Sequence, residues 1–192
     1  MGRHQRPALF WVNLALKVAL ISLLAFGAFS GLQQFEGKAF AWRLATYPLA
    51  ALAVPLLWAL RWRRSAYPYT TDLLLTLPFF IDTAGNALDL YDTVAWWDDA
   101  NHLVNWGLLA GAVGALAWRN RVGPGQTLAY VIGFGAVTAI LWEIAEYFAF
   151  IRVSPELATA YVDTLGDLAL GLGGSVLAGL VAALPRLYRR RP

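Results

Sequence analysis

The chain has no cysteine, so disulfides and thiolate metal ligation are excluded, and any metal site must be built from oxygen and nitrogen donors. Charge is scarce as well: 14% of residues are Asp, Glu, Lys or Arg, against 59% hydrophobic, and mean hydropathy is +0.53. That balance excludes an ordinary soluble domain, for which about a quarter of residues would be charged. Also missing are a Gly/Ser- or Pro-rich linker, a low-complexity tract and an internal repeat between the two halves. Nucleic-acid binding is excluded on distribution, because the basic residues behind the net charge of +3 flank apolar blocks and form no solvated patch.

What is present is a series of apolar blocks of about 20 residues, the length that crosses about 30 Å of hydrocarbon. They predict an all-α membrane protein, a single bundle of about six transmembrane helices over 8–31, 39–60, 73–90, 100–118, 127–151 and 163–184. The start, Met1 to Arg6 before an apolar stretch, resembles a signal peptide. The stretch is too long for an h-region and has no small-residue cleavage site, so it reads as a retained first helix. Arg3, Arg6, Arg61, Arg63, Arg64, Arg119, Arg121, Arg186, Arg189, Arg190 and Arg191 fall on one side of these spans, with Lys38 and Arg152 on the other. Short-loop Lys/Arg asymmetry therefore predicts both termini in the cytoplasm and a multi-pass protein of the bacterial inner membrane. Trp62, Tyr67, Tyr69, Trp96, Trp97 and Tyr161 sit at the expected interfaces, and Lys17 is expected to snorkel inward. Gly171, Gly173, Gly174 and Gly179 predict close helix packing, while Pro78 and Gly85 are candidate breaks in the third span.

Most of the 12 acidic residues lie in 82–99, 143–146 and 163–167, which the topology puts at the outer end of the bundle. Residues three or four apart share a helix face. Asp82, Asn86 and Asp89 make one stripe; Asp98, Asp99 and His102, continued by Asn105, make a second; Glu143 and Glu146 a third; Asp163 and Asp167 a fourth. A carboxylate in hydrocarbon costs several kcal/mol, so such groups turn inward and mark function. Asp98 and Asp163 also suit helix N-termini as caps, and Asp92 reads as a solvated loop residue.

Relief of repulsion among so many acids requires shared protons, cations or salt bridges, and Arg43 is the best internal counter-ion, with Arg152 at the rim. The expected metal ligands are Asp82, Asp98, Asp99, His102, Glu143, Glu146, Asp163 and Asp167. The expected ion is divalent: Mg, Mn, Ca or Zn. Glu143 or Glu146 is the candidate general base and His102 a ligand or acid, with Asn86, Asp89, Asn105 and Arg43 as further polar members.

The runs Ile81 to Asn86 (IDTAGN), Leu90 to His102 (LYDTVAWWDDANH), Leu141 to Tyr147 (LWEIAEY) and Asp163 to Asp167 (DTLGD) resemble the uncharacterised bacterial inner-membrane proteins of the YjdF type. The resemblance covers about the last two-thirds of the chain. More distantly the chain is similar to the VanZ-like family, whose pattern is an Asp four before a His, then Glu-x-x-Gln, then Asp-x-x-x-Asn and a Gly-rich helix. Asp98 and His102 match the first element, Glu143 the start of the second and Asp163 the start of the third, with Gly171 to Gly174 after it. Glu146 and Asp167 depart by standing where amides are expected, which makes this site more acidic. The VanZ-like resemblance implies a role of the kind seen in glycopeptide-antibiotic tolerance.

Three function classes remain open on the sequence. One is a metal-dependent enzyme acting on a lipid or cell-envelope substrate. The second is a non-catalytic protein binding a lipid, an antibiotic or a partner. The third is a proton- or cation-coupled transporter with Asp82, Glu143 and Glu146 as relay. No Gly-x-Ser-x-Gly, His-Glu-x-x-His or Glu-x-x-His motif selects the first. The lipid bilayer is the partner common to all three.

Overall fold

A computed structural model describes residues 7–149 and 151–188. The described residues are helical with no strand, and six helices are long: α1 (Ala8–Phe29), α2 (Phe40–Leu57), α3 (Tyr69–Ala87), α5 (Trp97–Arg119), α6 (Pro124–Ala149) and α7 (Ala160–Tyr188). A four-residue helix, α4 (Leu90–Thr93), stands between α3 and α5. By length and composition, Ala8–Phe29, Phe40–Trp62, Pro124–Val153 and Ala160–Pro185 suffice to cross a membrane. The other two long helices, α3 and α5, carry Asp72, Asp82, Asn86, Asp98, Asp99, Asn101, His102 and Asn105.

The apolar surface faces outward. Trp11, Val18, Phe29, Leu49, Val137, Phe148 and Val181 are all exposed in the isolated chain, a distribution no soluble monomer tolerates and one that lipid accounts for. The polar residues Thr71, Asp72, Thr76, Thr83, Asn86, His102, Glu143 and Asp167 are buried instead. The inside-out pattern follows from the solvent: lipid tails accept leucine, and only the protein interior offers partners to an amide or carboxylate.

Two groups of three helices pack together. In the first, α1, α2 and α3 contact one another; in the second, α5, α6 and α7 do; α3 against α5 joins them. The seam between α5 and α7 is the closest. A Cβ at Gly174 would collide with the Leu103 carbonyl and stand 2.9 Å from the Gly107 nitrogen, and one at Gly171 would stand 2.7 Å from the Trp106 ring. Only glycine lets the two backbones meet. Asp167, Gly171 and Gly174 share one face of α7, so the packing that seats the glycines on α5 also brings Asp167 to the His102 turn.

Several expectations change here. Pro78 lies inside α3 without breaking it. α3 ends at Ala87, and Asp89 adopts a left-handed conformation (φ 60°) that turns the chain into α4, so Asp89 leaves the Asp82–Asn86 stripe. α5 and α7 begin earlier than expected, at Trp97 and Ala160, which puts Asp98 and Asp163 in first turns and not at cap positions. Arg3, Arg6, Arg189, Arg190 and Arg191, which carry much of the charge-asymmetry argument, lie outside the described residues, as does the Arg186 side chain.

Lys17 does not snorkel. Its Nζ bonds Asp72 Oδ2 at 2.6 Å, and the Tyr67 hydroxyl donates to the same oxygen at 2.8 Å. Burial first, and then that hydrogen bond, hold the Tyr67 phenol above its ordinary range and keep it a donor. This cluster ties α1 to the start of α3.

Candidate carboxylate and imidazole site

At the opposite end of α3 a second ion pair ties in α2. Arg43 Nη1 donates to Asp82 Oδ2, which also accepts from the Tyr47 hydroxyl at 2.7 Å, while Asp82 Oδ1 accepts from Tyr91 at 2.8 Å. Arg43 Nε donates to the Lys38 carbonyl at 3.0 Å, and Asn86 Nδ2 to the Asp82 carbonyl at 3.0 Å. Asp82 is thus a fully engaged carboxylate. Tyr91 is held above its ordinary range, by burial first and then by Asp82, and stays protonated to donate. Tyr47 and Tyr91 are the members of this cluster that sequence reasoning missed. Tyr47 was findable, four residues after Arg43 on one helix face; Tyr91 was not, because it rides on α4.

The second cluster centres on His102. Its Nε2 is 3.7 Å from Asp98 Oδ1 and 3.6 Å from Asp167 Oδ1, and its Nδ1 is 3.9 Å from Glu143 Oε1. Asp98, His102 and Asp167 each offer one ligand atom, all within 4.8 Å of one another. These separations exceed hydrogen-bond length and suit atoms arranged around a common centre about 2.0–2.4 Å from each. His102 is nine-tenths buried, and its Nδ1 has no hydrogen-bond partner among the described residues. Such an atom needs an explanation, since a buried polar group without a partner costs about 1–3 kcal/mol. The Glu143 carboxylate interacts with Thr164 of α7 on the Nδ1 side of the imidazole.

Between the two clusters lies an open cavity of about 370 Å³, lined by α2 to α6 where the three-helix groups meet. Arg43, Asp82, Asp98, His102, Asn105 and Glu146 supply its polar lining, and Leu75, Phe79, Phe134 and Trp142 part of its apolar wall. Asn105 Nδ2 donates to Asn101 Oδ1 at 2.9 Å, leaving Asn105 Oδ1 buried without a partner.

Of the predicted residues, the structure brings Asp98, His102, Glu143 and Asp167 together, and Arg43, Asp82 and Asn86 together, with Glu146 and Asn105 on the cavity between them. It leaves Asp99 and Asp163 exposed at the rim. Asp89 is half-buried beside Asp92, whose carboxyl the Lys38 ammonium, 2.5 Å away, holds below its ordinary value. With 56% of the Asp92 side chain exposed, that pair stabilises little, about 1 kcal/mol at most.

Fold and site together define a multi-pass α-helical membrane protein with buried polar clusters inside its bundle. The chain belongs to the family described as "Predicted membrane protein (DUF2238)", whose profile matches residues 15–188. No curated protein and no solved structure matches it.

Proposed function

We propose that this protein is a divalent-cation-dependent enzyme of the bacterial cytoplasmic membrane, acting on a lipid or envelope substrate from the outer side. The observation that carries the reading is the Asp98, His102 and Asp167 triad, whose imidazole Nε2 lies between two carboxylate oxygens, at the edge of a largely apolar cavity in the bundle. Two carboxylates and one imidazole favour Zn²⁺ or Mn²⁺ over Mg²⁺ or Ca²⁺, whose preferred shells are all oxygen. His102 Nε2 would be the ligand atom. Glu143, on the Nδ1 side, would orient the ring and fix its tautomer, as carboxylates behind metal-bound histidines do.

Asp98 and His102 line the cavity whereas Asp167 and Glu143 do not, so an ion held by the triad would be reached from the cavity. A bound ion would polarise a phosphoryl or acyl oxygen there and acidify water. Of the two cavity carboxylates outside the triad, Asp82 is held by Arg43, Tyr47 and Tyr91, and Glu146 would be the base toward that water. The carrier alternative is less well supported, because Asp82, the centre of its relay, is held by Arg43, Tyr47 and Tyr91. The similarity to the VanZ-like pattern belongs to the same reading, with Asp167 in place of Asp163 beside His102.

In this reading all six long helices span, and both termini are cytoplasmic. α3 and α5 span despite their polar residues because those residues turn into the bundle. Single cysteines test the orientation cleanly, since the chain has no other thiol. In intact cells a membrane-impermeant maleimide should label Ser154→Cys, and should label Ser65→Cys only after permeabilisation; the opposite pattern overturns the orientation. For the ion, elemental analysis after chelator stripping and dialysis against Zn²⁺ or Mn²⁺ should return about one ion per chain. A return of none removes the basis of the enzymatic reading.

A further inference from the structure

A second cavity, of about 580 Å³, lies between α2 and α6. It shares Arg43, Tyr47, Trp142, Ala145 and Glu146 with the first, so it continues that cavity sideways, toward the surface of the bundle. The helices that flank it have their main partners elsewhere: α2 on α1 and α3, α6 on α5 and α7. Its apolar wall includes Trp42 of α2 and Trp142, Ala145, Phe148 and Ala149 of α6, and Trp42 and Phe148 are 66% and 58% exposed in the isolated chain. In a spanning bundle, an opening with such walls is filled by lipid.

Its polar lining is arranged at one end. Arg43 enters from the first turn of α2, and Arg152, just after α6, holds its guanidinium 5.5 Å from the centre of the Phe148 ring. Glu146, the carboxylate in the lining, sits deeper and interacts with Arg43. An apolar slot with an arginine at its mouth is complementary to an acyl chain ending in a phosphate, because the planar guanidinium matches phosphate oxygens and stacks on an aromatic face.

We propose that the cleft between α2 and α6 is a binding site for an anionic glycerophospholipid. Its acyl chain lies along Trp42, Phe148 and Ala149, and its phosphate sits at Arg152 with Arg43 behind. As the lateral access route to the cavity, the cleft names the substrate class of the enzymatic reading and in that respect rests on it. The binding itself does not require the metal.

Native mass spectrometry of the purified full chain, equilibrated with equal phosphatidylglycerol and phosphatidylcholine of the same acyl composition, tests the proposal. One phosphatidylglycerol should be retained over phosphatidylcholine by about fivefold. Arg152→Gln should bring the ratio to parity, and Ala149→Trp, which fills the slot from an exposed position, should reduce retention of both lipids without lowering Tm. Arg63→Gln, in the connection after α2, should change neither. Parity in the parent chain, or variants at 152 and 149 indistinguishable from it, would overturn the proposal. His102→Ala separates the two readings. A parent chain that binds no ion yet retains phosphatidylglycerol selectively, with selectivity unchanged in His102→Ala, upholds the lipid site and removes the enzymatic reading; an ion-binding parent without selectivity does the reverse.

Discussion

His102→Ala is expected to weaken Zn²⁺ or Mn²⁺ binding by about 100-fold or more, measured by competition against a chromophoric chelator in detergent. The imidazole is the group to which Asp98, Asp167 and Glu143 are all disposed, at 3.7, 3.6 and 3.9 Å, and its removal leaves carboxylates from separate helices with no common centre. Glu143→Gln should cost about tenfold, because a neutral amide still orients the ring but raises its basicity less. Asp99→Asn is the control. Asp99 neighbours Asp98 in sequence and in charge, yet it is exposed, so affinity should stay within about twofold of the parent if coordination governs binding. If Asp99→Asn weakened binding as much as His102→Ala did, the ion would be held by diffuse negative potential and the triad would not be its site.

The second large effect concerns stability. Arg43→Ala should destabilise the bundle by about 3–5 kcal/mol, because it leaves the Asp82 carboxylate without its cation in a site where only 14% of that side chain is exposed. Tyr47 and Tyr91 still donate to Asp82, but two phenols do not replace a charge. Asp82→Asn should cost less, since the amide keeps an acceptor for Tyr47. Replacing both partners with apolar residues of similar size, Arg43→Met with Asp82→Leu, should recover most of the loss, as buried pairs replaced together are often near neutral. A double-mutant cycle by denaturation in detergent measures the coupling. Independent, additive losses at the two positions would contradict the pairing of α2 with α3 through this contact.

The long helices were legible because hydrocarbon thickness dictates their length, and the boundaries shifted where polar residues blurred the edge of a block. α5 and α7 each begin about three residues before the expected spans, at Trp97 and Ala160, because the polar residues Asp98, Asp99 and Asp163 hide the starts of these helices from an apolar count. Asp89 was misplaced for a local reason. The turn at φ 60° occupies an aspartate with no glycine or proline to announce it, so the stripe through Asp82 and Asn86 read straight on. Within one helix, spacing paired Asp98 with His102 and Asp82 with Asn86. Across helices it proposed a set and did not rank its members. What selects Asp167 over Asp163 as the neighbour of His102 is the register of α5 against α7, set by backbone contact at Gly174 and by Trp106 over Gly171. The glycines were visible in the sequence, but the register they impose was not. Lys17 with Asp72 joins distant segments and was not legible in the sequence, whereas Arg43 was legible as the internal counter-ion but not its assignment to Asp82.

X-ray absorption at the metal edge of the Zn²⁺- or Mn²⁺-loaded protein shows whether one ion is held by Asp98, His102 and Asp167. The expected spectrum has about one ion per chain, a first shell of nitrogen and oxygen at about 2.0–2.2 Å, and the outer-shell scattering of a single imidazole that disappears in His102→Ala. An all-oxygen shell, or imidazole scattering that survives His102→Ala, would contradict it.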